Sequence, residues 1–157
     1  MTVLIAATGR RGDAAAAALD EVIRVETLAA ARDHLEGVAV AVVGPLTDGD
    51  PATLREATTL RDSATAFVHL GPHEAFATCL PASFEPKELR EAVAAAREAV
   101  AYREAVDEFY RRCAAAASTV STEESIHELR AARERADERF TAARSGAFDY
   151  WELLADD

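Results

Sequence analysis

Short apolar runs alternate with amphipathic stretches over the first hundred residues, and the alternation predicts a layered α/β domain. "TVLIAAT" (residues 2–8) reads as a strand by its length and its Val/Leu/Ile content. Gly9 ends it, and Gly12 or Asp13 can cap the alanine-rich helix that follows. "VIRVET" alternates apolar and polar positions, as an edge or half-buried strand does, and "LAAARDHLE" is a short amphipathic helix stopped by Gly37. "VAVAVV" (38–43) holds no polar residue, the signature of a central parallel strand covered on both faces. Asp50 and Pro51 suit the cap and first turn of a helix over "ATLREATTLRD". "TAFVHL" predicts a fourth strand, "GPHEAFA" a short helix, and "TCLPA" a fifth strand. The order calls for an open five-stranded parallel sheet with helices on both faces, doubly wound.

Beyond Pro86 the pattern becomes wholly helical. Leu89, Val93, Ala96 and Val100 form one stripe at 4-3-4 spacing, fit to pack on the sheet. Tyr102, Val106, Phe109 and Cys113 repeat that spacing on a different phase, which places a boundary near Ala101, inside a helix. Ser121 and Glu124 make a capping box for another helix, striped by Ile126, Leu129, Ala136, Phe140 and Ala143 and stopped by Gly146. The chain thus divides into an α/β domain (1–100), an antiparallel helical hairpin (101–145) and an acidic aromatic tail (146–157). Phe148 and Trp151 share one face of that tail and are candidate partner contacts, with packing back onto the hairpin as the alternative. The stripe Tyr102, Val106, Phe109, Cys113 has two readings: packing against the second helix, or a shared dimer interface.

Composition narrows the function classes. The formal net charge is −11, from 17 basic and 28 acidic residues, and Lys87 is the only lysine. Carboxylate-rich, lysine-poor chains stay dispersed at high salt, so a halophilic setting is expected. The same charge speaks against direct nucleic-acid binding, which needs clustered cations. The arginines of the hairpin (Arg111, Arg112, Arg130, Arg133, Arg135, Arg139) are interleaved with Asp107, Glu108, Glu134, Asp137 and Glu138, as on a solvated helical face. Cys79 and Cys113 form no scaffold or metal pattern and read as buried free thiols. The first apolar run is too short for a signal peptide, and no stretch reaches membrane-span length, so a cytoplasmic location is expected.

The residues that carry a resemblance are "LPASFEPKELREAV" and the order of elements before it. Phe84, Pro86, Glu88 and Leu89 match the ending of the receiver domain of two-component response regulators, and the first hundred residues resemble that CheY-like, flavodoxin-like fold. "YREAVDEFYRRCAAAAS…ELRAARERADERF" is similar to the HalX domain, a helical appendage of receivers in salt-loving archaea. The resemblance also implies where phosphotransfer chemistry belongs, and those places are vacated. The acidic pair that would hold Mg²⁺ falls on Ala7 and Thr8, and the phosphoacceptor aspartate on Gly44, or Val43 under a one-residue shift. The switch hydroxyl corresponds to His69 or Leu70, and the lysine to Ala82. An aspartyl phosphate needs a nucleophile, a metal and a cation, and none can be assembled here. The resemblance therefore implies a pseudo-receiver: no enzyme, no catalytic residue, no cofactor and no metal.

Three lesser candidates remain. Asp48 and Asp50 read as turn and cap residues, with Gly49 between them supplying unusual backbone angles. "TGRRGD" places Thr8, Arg10 and Arg11 at a strand end where a small anion could bind, though it lacks the full dinucleotide and P-loop patterns. His69 and His73 are four apart, but Gly71 and Pro72 prevent the helical turn that would align them on a metal. His34 and His127 read as surface residues. The expected function is a phosphorylation-independent signalling or regulatory adaptor with protein partners, homodimeric through its helices or its fourth-helix face. The alternatives are an anion- or nucleotide-sensing domain and a transcription-associated regulator.

Overall fold

The all-apolar run is a buried strand. In the computed structural model, which describes residues 2–59, 64–117 and 123–144, Val40–Val43 forms β3 with every residue buried. Around it lie β1 (Val3–Ala6), β2 (Val22–Val25), β4 (Ala66–Leu70) and the two-residue β5 (Cys79–Leu80). All pair in parallel, in the order β2-β1-β3-β4-β5. The open five-stranded parallel α/β sheet expected from the sequence is the observed one. β2, with its alternating pattern, sits at an edge.

The period of two along each strand sorts the side chains between two cores. Val3, Ile5, Val40, Val42 and Val68 face α1 (Gly9–Ala18) and α4 (Pro86–Ala117), whose Leu89, Val93, Ala96 and Val100 are all buried there. Leu4, Ala6, Ala41 and Val43 face α2 (Leu28–His34) and α3 (Ala52–Thr59), with Ala31, Leu35, Leu54 and Phe76 completing that side. The predicted stripe of α4 is thus the one that covers the sheet.

Two local expectations are corrected. α1 begins at Gly9, not after Gly12 or Asp13, because Thr8 is its extended N-cap residue. Gly12 is therefore inside the helix, so close to β1 that an added Cβ would stand 2.4 Å from the Ala7 carbonyl oxygen. The stretch 71–77 forms no helix. Gly71 takes a left-handed φ of +113°, and the following turn closes on itself through Phe76 N–H to the His73 carbonyl at 3.3 Å.

α4 runs unbroken from Pro86 to Ala117, and α5 (Glu123–Arg144) returns antiparallel along it. Arg112 reaches Glu128 at 3.7 Å near one end, and Arg139 reaches Glu98 at 3.4 Å near the other. Ala132 and Ala136 are buried on α5, as are Ala95 and Ala99 on α4, outside the sheet-side core. Small residues let the two helices approach closely, and α5 becomes a third layer on the outer side of α4. Among the described residues no helix is long and apolar enough to cross a membrane. The capping box at Ser121 and the tail residues Phe148 and Trp151 lie outside the described residues.

Candidate functional site

Open α/β sheets place ligands beyond the carboxyl ends of their strands, at the point where the strand order reverses. Here that point lies between β1 and β3, whose following helices α1 and α3 pack on opposite faces. The crevice is bridged. Thr8 donates both its amide and its hydroxyl to the Pro45 carbonyl, at 2.9 and 3.0 Å. On its other side the same loop is pinned to the turn after β2: Thr47 donates its amide and hydroxyl to the Glu26 carbonyl at 3.2 and 3.1 Å. Asp48 accepts the Leu28 N–H at the start of α2, and Asp50 accepts the Ala52 N–H at 2.8 Å at the start of α3. Both aspartates are therefore turn and cap residues, as their positions suggested. Gly49 is corrected: it adopts no left-handed φ, and its smallness instead admits Leu28, whose Cδ2 lies 3.0 Å from an added Cβ.

Gly44 is the residue after β3, where the receiver resemblance puts the phosphoacceptor. Its surroundings are apolar and tight. A Cβ built there meets the Ala7 Cβ at 3.0 Å and the Leu70 Cβ at 3.6 Å. Ala7 and Leu70 are themselves buried; the receiver resemblance sets the acidic pair on Ala7 and Thr8 and the switch residue on His69 or Leu70. Ala82 is exposed beyond β5. Ala7, Gly44 and Leu70 thus pack on one another, and a side chain at 44 would start against hydrocarbon.

The candidate anion residues come together only in part. Arg11 crosses from the first turn of α1 and donates Nη1 to the Leu70 carbonyl at 3.2 Å, while Arg10 is exposed. A guanidinium in the first turn of a helix opposes the helix dipole; the carbonyl end of β4 offsets this. Thr8 and Arg11 thus direct donors to the protein's own backbone.

A cluster that sequence reasoning did not assemble lies beside them. His69, at the end of β4, is buried, and its Nδ1 donates to the Gly71 carbonyl at 2.8 Å. Its ring stacks on Phe76 at 5.0 Å and lies 4.7 Å from the His73 ring. His73 accepts the Ala75 N–H at Nδ1, so its Nε2 carries the proton and faces Asp50 Oδ1 at 3.4 Å. The two imidazoles do meet, through a turn and not a helix. With Asp50 they form a chain, and among the described residues no three His, Cys, Asp or Glu side chains are grouped to hold a metal. The only signal in the sequence was the His-Leu-Gly-Pro-His spacing, which hides the contact because a left-handed Gly71 produces it.

Burial holds the His69 imidazole below its ordinary titration range, against the opposing hydrogen bond to Gly71. Its folded pKa is depressed relative to the unfolded value of about 6.5. Below that pH the unfolded chain takes up a proton that the folded chain resists, so stability falls as the pH is lowered. Urea melts between pH 7.5 and 5 are expected to show this slope, and His69→Gln to flatten it while lowering stability at pH 7.5. An unchanged slope in His69→Gln would assign it elsewhere.

The helical stripe of candidate contacts is placed as well. Tyr102, Val106, Phe109 and Cys113 are all half-buried on α4, and the Tyr102 ring packs on Phe140 of α5 at 5.4 Å. Both cysteines are free and half-buried, which corrects the expectation of full burial; Cys79 Sγ donates to the Phe76 carbonyl at 3.2 Å. His34 and His127 are exposed. Comparison with protein-family models, with curated proteins and with solved structures gives no match to this chain.

Proposed function

We propose that the protein is a phosphorylation-independent signalling or regulatory adaptor: a receiver-like domain without phosphotransfer chemistry, joined to a HalX-like helical arm, that acts by binding other proteins. The observation that carries this reading is the closed packing at Gly44. Ala7 and Leu70 crowd the position of an acceptor side chain's Cβ, and the Thr8–Pro45 bridge covers the crevice beside it. What the scaffold retains is shape: a rigid sheet and a helix of 32 residues that projects past it. A cytoplasmic, high-salt setting belongs to the same reading, on the strength of the −11 charge and the single lysine.

The anion-sensing alternative has less support, since Thr8 and Arg11 already donate to Pro45 and Leu70. Direct DNA contact has less still. Glu108 receives Arg111 and Arg112, and the Arg112 hydrogen bond holds its carboxyl below the usual carboxylate range. On this reading the folded chain offers a phosphoryl donor and Mg²⁺ no site, so they are expected to leave the thermal midpoint unchanged. A saturable rise in the midpoint would contradict the proposal.

A further inference from the structure

The two edges of the α4–α5 hairpin differ in kind. On a projection of about 100° per residue, Glu98, Glu108 and Arg112 of α4 and Glu128 and Arg139 of α5 fall on one edge. There they are laced together: Arg112 to Glu108 and Glu128, Arg139 to Glu98. The opposite edge holds the large apolar side chains that the hairpin leaves open. Among the described residues the large apolar side chains left exposed are Tyr110 (66%), Ile126 (52%) and Phe140 (41%). Antiparallel pairing brings these three to the same side, because the edge of α4 that carries Tyr110 adjoins the edge of α5 that carries Ile126 and Phe140. Between them run the half-buried Tyr102, Val106 and Cys113. The stripe extends about 18 Å along the arm, from Tyr102 to the level of Ile126.

Charge says what can cover it. Residues 101–144 hold eight arginines and nine carboxylates, a net −1, so −10 of the chain's −11 lies outside the arm. Two copies can therefore bring their arms together without the repulsion that separates their acidic remainders. The rim is also self-complementary. It carries Arg103 and Asp107 on α4 and Arg133 and Asp137 on α5, the second pair already 3.8 Å apart. In an isologous contact a two-fold axis can set the arginines of one copy opposite the aspartates of the other, each such pair occurring twice. A partner of one dominant charge would leave half of that rim unmatched.

The geometry points to a second copy of this chain as the occupant, the two hairpins joining along the Tyr110–Ile126–Phe140 edge into four helices. This rests on the adaptor reading and names its partner surface. Sedimentation equilibrium of the full chain at high salt is expected to give twice the chain mass. Tyr110→Glu with Ile126→Glu would place carboxylates in the apolar seam and weaken association by at least about 100-fold, with the helical circular dichroism retained. Arg135→Ser, on the ion-paired side, is expected to leave the dimer intact. A wild-type monomer at all concentrations, or a dimer indifferent to the Tyr110/Ile126 pair, would overturn the inference. Loss of the dimer in Arg135→Ser with the seam variant unaffected would do the same. Covalent phosphorylation would instead overturn the adaptor reading and leave the mass result standing, so the two failures are distinguishable.

Discussion

Gly12→Ala is expected to be the most damaging single methyl in the domain, lowering stability by roughly 3 kcal/mol or more. The added Cβ would stand 2.4 Å from the Ala7 carbonyl oxygen and 3.0 Å from its carbon. Both are main-chain atoms at the end of β1, where Ala7 N–H is held by the Val25 carbonyl at 3.2 Å. Relief requires α1 to lift off the sheet or the end of β1 to move away from β2. The gain in helix propensity from Gly to Ala is only about 1 kcal/mol and cannot offset this. Gly9→Ala provides the contrast. Nothing lies within 4 Å of its added Cβ, and only its φ of +62° is unfavourable, a penalty of about 1–2 kcal/mol. Urea denaturation of both variants checks the ordering, and a Gly12→Ala melt within about 0.5 kcal/mol of wild type would refute the close approach.

Gly44→Asp is the second. Restoring a carboxylate at the receiver's acceptor position is expected to cost about 2–4 kcal/mol and to confer no phosphorylation. The side chain must displace Ala7 Cβ, 3.0 Å from its own Cβ, and then bury a charge beside Leu70. Arg11, whose guanidinium sits at the end of β4, is already bonded to the Leu70 carbonyl. Thermal melts of the variant test the first part. A variant as stable as wild type would mean that the space behind Gly44 is open.

These two glycines also mark how much could be read in advance. β3 was legible because Val40–Val43 is apolar at every position, which only burial on both faces explains. The stripe Leu89, Val93, Ala96, Val100 was legible for the same reason at helical spacing. The start of α1 was not, because Thr8 and Gly9 look like an ordinary strand exit, and the helix begins there only by virtue of a left-handed glycine. The turn 71–77 was misread as a helix: Ala75 and Phe76 favour one locally, but packing of Phe76 against His69 and His73 overrides that preference. At the candidate site, the small or apolar residues Ala7, Gly44 and Leu70 were visible one by one. That they fill one another's space was not, since it depends on the β1–β3–β4 register. The open edge of the hairpin was hidden for a related reason. Tyr110 belongs to neither stripe of α4, and it joins Ile126 and Phe140 only when two helices take a particular rotation about each other.

The central claim is that this receiver-like scaffold works without an acyl phosphate. It is tested most directly by the intact mass of the wild-type protein after incubation with acetyl phosphate and Mg²⁺ at high salt. The account predicts the unmodified mass alone. A fraction heavier by one phosphoryl group, and returned to the starting mass by hydroxylamine, would contradict it.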